Sequence, residues 1–360
     1  MTTEWLAGNI TVHWMQAGVL TLSALVAIRL LNLNEPRARL AALHLTLAAI
    51  VLLPLLQPWT SLEPTLEVAS SAGVSSAAPV HTLEAAQSGI EAASWPDPSL
   101  AIVAIIMAGV GMRLLWLLFG IIRLGRFSRA ASSVPTPSVA SEIEIDLVIA
   151  SPRYIQQTGG RGPWTFGWIR PAVALPVGFD SLAPAFQRAV ICHELVHIKR
   201  RDIVVAFIEE LAVAALWFHP WMWLFRARIR VAREQVVDSR VVTMLGNRED
   251  YVRCLVDLSG HDLAPHFSQA GAGMLRPREL RARVDAIFQE VHMSRMRFAI
   301  AAVSFVAEAF WISFWGALIF FLGKAALSLA GFRIILFAIL IWIAVRLIYR
   351  WKFEDKPAAN

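Results

Sequence analysis

Long apolar runs separated by short charged stretches dominate the chain. Residues 12–31, 40–57, 99–122, 298–322 and 327–349 are nearly unbroken apolar segments. Each approaches or exceeds the roughly 20 helical residues needed to cross about 30 Å of hydrocarbon. Five transmembrane helices are predicted. A different pattern lies between the third and fourth runs. Residues 142–149 (EIEIDLVI) alternate as a half-buried strand does, and residues 168–176 (WIRPAVALP) read as a second strand. Pro171 and Pro176 assign that second strand to a sheet edge, because proline cannot donate to a ladder. Asp180 and Ser181 supply helix-capping side chains, Pro184 suits a first helical turn, and a helix is predicted from there through Arg200. Residues 203–225 are apolar enough to touch lipid but contain Glu209, Glu210 and Pro220. The preferred reading is a helix packed on the preceding one followed by a turn at the membrane surface, with a re-entrant hairpin as the alternative.

Charge sets the expected topology. Arg29, Arg37 and Arg39 follow the first run and Arg123, Arg126 and Arg129 follow the third, whereas residues 60–98 carry five acidic residues and no Lys or Arg. Basic flanks are cytoplasmic. The expected organisation is two spans within 1–58, an extracytoplasmic flexible loop over 59–98, a third span at 99–122, a partly membrane-associated cytoplasmic domain over 128–297, two spans within 298–350 and a cytoplasmic tail over 351–360. The first run reads as a retained anchor rather than a signal peptide, since Glu4 and no basic residue precede it.

Composition agrees with this picture. Hydrophobic residues make up 57% of the 360 and charged residues only 17%, too oily for an ordinary soluble enzyme. The net charge of +6 includes eleven arginines between Arg226 and Arg283. Beside membrane-sized segments these read as cytoplasmic-surface charge, so no direct nucleic-acid binding is expected. Cys192 and Cys254 fall in the expected cytoplasmic part, where thiols stay reduced.

The candidate chemistry is in residues 193–197, His-Glu-Leu-Val-His. Positions four apart share a helix face, so both imidazoles reach one metal ion, and Glu194 between them is placed as a general base. A catalytic zinc takes three protein ligands and keeps one position open. Glu234 is the candidate third ligand, with Asp238 one turn further on as a hydrogen-bond partner for a ligating histidine. By spacing alone these two also fit an ion-paired solvent face beside Arg233 and Arg240. Tyr251, His219 and Arg233 are all candidates for stabilising an oxyanion, and nothing in the sequence chooses among them.

Four blocks in order, GPWTFGWIRPAVALP at 162–176, ICHELVHIKRRD at 191–202, LWFHPWMW at 216–223 and REQVVDS at 233–239, resemble the BlaR/MecR family of membrane zinc metallopeptidases. The resemblance covers residues 5–57 in topology and 99–322 in motif order. It implies an α-helical integral membrane protein with a cytoplasmic α+β domain of gluzincin type. In that domain Zn2+ is held by His193, His197 and Glu234, Glu194 is catalytic and Asp238 supports the ligands. It also implies an endopeptidase acting in signal transduction at the inner membrane, on itself or on a protein such as a transcriptional repressor. The family's best-known members carry a carboxyl-terminal penicillin-binding sensor domain that this sequence does not show, so antibiotic sensing is not carried over. A homodimer is left open. The rival expectations are a quality-control membrane protease, which would not be expected to carry the TFGWIRP and WFHP blocks, and a catalytically silent receptor or scaffold.

Overall fold

A computed structural model describes residues 3–31, 33–56, 98–157, 162–259 and 277–289. The runs expected as fourth and fifth spans, most of the outer loop and the tail lie outside the described residues. As far as they are described, the other three apolar runs form helices, the first but for its last residue: α1 (Thr3–Leu30), α2 (Pro36–Leu56) and α3 (Pro98–Ala130). By length and composition, residues 36–55 and 100–130 qualify to cross a membrane. The first of these is partly covered by the rest of the protein, whereas no residue in the apolar window of the second is fully buried, and Leu115, Trp116 and Phe119 are exposed.

The polar half of the chain begins with a correction. Residues 140–147 form a helix, α4 (Ala140–Leu147), rather than a strand. The alternating motif also contains helical spacing: Ala140, Ile143, Glu144 and Leu147 are the buried positions, whereas Ile145 and Val148 point to solvent. Glu144 is tolerated inside because Tyr154 donates to it at 2.7 Å and Ser151 at 3.2 Å. A left-handed Val148 ends the helix.

Three strands follow: β1 (Arg153–Gln157), β2 (Trp164–Phe166) and β3 (Ala172–Pro176), in the spatial order β1-β3-β2. β3 pairs in parallel with β1 and antiparallel with β2, so it is the central strand, and all five of its residues are buried. This overturns the edge expectation. Pro171 precedes the strand and Pro176 ends it, so neither removes a donor from the middle of the ladder. The outer strands are β2 and β1, and the far side of β1 is bridged by Ser133 at Ile155. Between β2 and β3, Gly167 takes φ +85°, and a Cβ there would collide with the Arg170 carbonyl, so the tight turn requires glycine.

Helix α5 (Pro184–Arg200) starts with Pro184 in its first turn, as expected, but Asp180 and Ser181 do not cap it. They sit in a short 3-10 turn (Phe179–Ser181), where the Ser181 hydroxyl bonds the Gly178 carbonyl. α5 ends at Arg201, whose φ of 56° is left-handed, and α6 (Asp202–Ala215) begins at the next residue. α7 (Pro220–Leu245), α8 (Arg248–Ser259) and α9 (Pro277–Phe288) complete the described helices.

The turn between α6 and α7 is not at the surface of the helix bundle. The Trp217 indole donates to the Ile106 carbonyl of α3 at 3.1 Å and packs on Gly109. His219, fully buried, meets the Trp14 carbonyl of α1 at 2.9 Å. Ala212, Val213, Leu216, Met222, Phe225 and Ile229 share one core with the buried faces of α1 and α2. α6 and the first half of α7 thus form a hairpin packed against the three apolar helices. α6 also packs on α5, as expected. A second core, under α4, α5, α7 and α8, carries the polar half of the molecule.

Candidate metal centre

Two helices bring the expected site residues together. On α5 the i, i+4 spacing puts His193 and His197 on one face, and on α7 the same spacing aligns Glu234 and Asp238. α5 packs against α7 through Ile191, Leu195, Val237 and Val241 of the shared core. The result is three facing side chains. His193 Nε2 lies 3.3 Å from His197 Nε2 and 3.4 Å from Glu234 Oε2, and His197 Nε2 lies 3.8 Å from Glu234 Oε1. Among the described residues these three form a group able to hold a metal ion. Ligands at about 2.0–2.1 Å from a tetrahedral zinc stand about 3.3–3.4 Å from one another; the two separations at His193 match that geometry and the His197–Glu234 separation is wider.

The protons fit as well. His197 Nδ1 is 2.8 Å from Asp202 Oδ2, and a carboxylate only accepts, so Nδ1 carries the hydrogen and Nε2 a lone pair. Tyr251 donates its one hydroxyl proton to Asp238 Oδ1 at 2.7 Å, which leaves its oxygen to accept from His193 Nδ1 at 2.9 Å. His193 Nε2 therefore also bears a lone pair. With both rings neutral, two lone pairs and a carboxylate face one another, the donor set a metal cation takes.

The ionisable groups of the site shift one another. Burial alone would raise the Glu234 carboxyl, but His193, His197 and the Arg283 guanidinium around it hold it well below the usual carboxylate range. Burial alone would lower the His197 imidazole, yet Asp202, Glu234 and Glu194 leave it raised. The Asp202 carboxyl is depressed, because His197 and Arg200 outweigh its own burial.

Asp238 is placed differently from the expectation. It is fully buried and lies 3.6 Å from His193 Nδ1, with Tyr251 interposed as the closer partner. Its two oxygens are held by Arg283 of α9, Nε to Oδ2 at 2.7 Å and Nη2 to Oδ1 at 2.6 Å. Arg283 also reaches Glu234 Oε2 at 3.4 Å. Glu194 is buried, and the Thr165 hydroxyl of β2 donates to its Oε2 at 2.5 Å. Of the three oxyanion candidates, Tyr251 is committed to Asp238 and His193, His219 to α1, and Arg233 to Glu209. Cys192 is fully buried beside Met244, as a small apolar residue would be.

Sequence reasoning did not assign roles to Asp202, Thr165 and Arg283. Asp202 falls at the end of a block quoted for its resemblance, and Thr165 lies within TFGWIRP, so a signal existed for both. Nothing local marks Arg283.

Comparison with known proteins identifies the family. A family description, BlaR1 peptidase M56, matches residues 21–287, most of the chain. The regulatory protein BlaR1 of Bacillus licheniformis is 25% identical over 168 residues, 44% of this chain and 27% of that protein. The methicillin resistance mecR1 proteins of Staphylococcus aureus and Staphylococcus epidermidis are each 26% identical over 92 residues, 25% of this chain and 16% of theirs. The match thus spans about a quarter or less of each relative's length. The family match over residues 21–287 is broad, and the chain belongs to the BlaR1 peptidase M56 family.

Proposed function

We propose that this chain is a membrane-embedded zinc endopeptidase in which His193, His197 and Glu234 hold the metal and Glu194 is the general base. The observation that carries the reading is the convergence of two imidazole lone pairs and one carboxylate, with the other nitrogen of each ring already engaged. A zinc ion held there supplies a Lewis acid that polarises a carbonyl and lowers the pKa of water toward about 7. Glu194, aligned by Thr165, takes a proton from the attacking water and delivers it to the leaving amide nitrogen. Asp202 and Tyr251 keep both histidines in the tautomer that leaves Nε2 free.

β2 gives the substrate a place. Among the described residues it pairs only with β3, and its central residue, Thr165, touches Glu194. An extended peptide added along its free edge would run past the general base. The substrate class is therefore an unfolded or extended segment of a protein near the cytoplasmic face of the membrane. A transcriptional repressor and the chain itself both fit, and the regulatory name of the relative favours a role in signalling.

The test is paired. Zinc content and cleavage of candidate cytoplasmic proteins are measured for the purified wild type and for Glu194→Ala. About one zinc per chain in both, with cleavage lost only in the variant, supports the reading. No zinc in either variant under metal-replete conditions, or cleavage that survives the substitution, refutes it.

A further inference from the structure

Glu209 lies in the middle of an apolar helix and is buried, a costly place for a charge unless it is paired. Its partners come from two other helices. Oε1 meets His44 Nε2 of α2 at 2.8 Å, and Oε2 is bonded by Arg233 of α7. Arg233 immediately precedes Glu234. On the other side of Glu234, the buried Gln235 is gripped twice: its Oε1 accepts from Arg39 Nη1 of α2 at 3.2 Å, and its Nε2 donates to the Ala282 carbonyl of α9 at 2.8 Å. Arg39 is itself fixed to the Leu33 carbonyl at 3.1 Å.

Consecutive helix residues are about 100° apart around the axis. Arg233 and Gln235 therefore flank Glu234 on either side, Gln235 tied directly to α2 and Arg233 tied to it through Glu209 of α6. Rotation or sliding of α7 at the level of Glu234 would break one of the two ties. We infer that α2, one of the two described helices able to span the membrane, fixes the position of the third metal ligand through Arg39–Gln235 and His44–Glu209–Arg233, so that a shift of α2 is felt as a change in the metal site. This rests on the peptidase reading and supplies its regulatory input. Arg39, His44, Glu209, Arg233 and Gln235 are positioning residues: the links join them to Glu234's neighbours, not to the metal.

The arrangement has the form a switch needs. Buried ion pairs between packed helices have a few discrete arrangements rather than a continuum, and the α2–α7 contact sits directly beside the ligand helix turn. A displacement of α2 that frees Gln235 also loosens its hold on the carbonyl next to Arg283, whose guanidinium steadies both Glu234 and Asp238.

The experiment uses the full chain in lipid nanodiscs. Zinc affinity is measured by chelator competition and the site is read by the visible absorption of the Co2+ form, for wild type, Arg39→Met, Glu209→Gln and the exchange Arg39→Gln with Gln235→Arg. Each single substitution is expected to weaken zinc binding by about tenfold or more and to shift the Co2+ bands. The exchange keeps a donor–acceptor pair between α2 and α7 as well as a donor for the Ala282 carbonyl, so it should restore both readouts even if a single variant folds poorly. Unchanged affinity and spectrum in the single variants, or an exchange that restores nothing, overturns the inference. A wild type that takes up neither metal overturns the peptidase reading itself, a result distinct from both.

Discussion

Asp202 sits directly behind His197, Oδ2 to Nδ1 at 2.8 Å, although the two are five residues apart and a continuous helix would turn them to different faces. The left-handed Arg201 between α5 and α6 reverses the chain and makes the contact possible. Asp202→Asn keeps an acceptor but removes the charge, and Asp202→Ala removes both. Zinc affinity should fall in that order, by up to about 100-fold in the alanine variant. Titration against a zinc-buffered fluorescent chelator checks this, and equal affinities for all three proteins would refute the role assigned to Asp202.

Tyr251 does for His193 what Asp202 does for His197, but at one remove from the carboxylate. Tyr251→Phe deletes the oxygen that accepts from Nδ1 and strands one oxygen of Asp238 with Arg283 as its remaining partner. His193 is then free to adopt the other tautomer, with a hydrogen on Nε2 facing the metal position. The expected result is about tenfold weaker zinc binding, seen in the same titration. Since the hydroxyl is turned to the far side of the ring, a readdition of zinc in excess should recover most of the cleavage rate.

Thr165 tests the general-base assignment without touching a metal ligand. Its hydroxyl is bonded to Glu194 Oε2 at 2.5 Å, and Thr165→Val is close to isosteric. A hydrogen bond to a charged group is worth about 1.5–3 kcal/mol, so kcat is expected to fall about 10- to 100-fold with zinc content unchanged. Steady-state kinetics on a fluorogenic peptide, beside metal analysis of the same sample, separates this outcome from a loss of metal.

How much of this was legible follows from range along the chain. The HExxH helix and the Glu234–Asp238 pair are carried by four-residue spacing, which is a local property, and their assembly by the ordered blocks. Asp202 lay within a quoted block, but its contact with His197 was not legible because nothing in the sequence marks a non-glycine left-handed residue at Arg201. Arg283 is 45 residues from Asp238, and only the packing of α9 on α7 brings them together. The stretch 142–149 misled because its alternation holds two periods at once, and burial of Ile143, Glu144 and Leu147 decided for the helix. The edge expectation failed through the prolines: Pro171 and Pro176 bracket β3, and an edge role passed to the three-residue β2, too short to show a period. Glu209 was noticed as an anomaly, and its explanation needed three helices.

The grip of Arg283 on Asp238 predicts a stability effect separate from catalysis. Asp238 has no exposed surface, so Arg283→Met leaves a buried carboxylate with Tyr251 alone. Breaking a buried pair from one side costs about 3–5 kcal/mol. Thermal unfolding of the metal-free protein in detergent should show a large drop for Arg283→Met and a smaller one for the double variant Arg283→Met with Asp238→Asn, which removes the stranded charge. A double variant less stable than the single one would count against this account.

The α6–α7 hairpin makes the last prediction. Gly109 of α3 has the Trp217 indole packed against its Cα, and a methyl group there would overlap the ring, while the ring nitrogen stays tied to the Ile106 carbonyl one turn away. Gly109→Ala must therefore push Trp217 outward and unseat the turn between α6 and α7. Trp217→Ala removes the obstacle and the hydrogen bond together. The two substitutions should be strongly non-additive: each alone destabilises the protein, but adding Gly109→Ala to Trp217→Ala costs almost nothing further, a coupling of about 0.5–3 kcal/mol for residues in contact. Because α6 leads directly back to Asp202 and α7 onward to Glu234, Gly109→Ala should also weaken zinc binding, although Gly109 is on a helix that contributes no ligand. Additive melting shifts, or zinc affinity untouched by Gly109→Ala, would mean that the hairpin is held in place by α1 and α2 without help from α3.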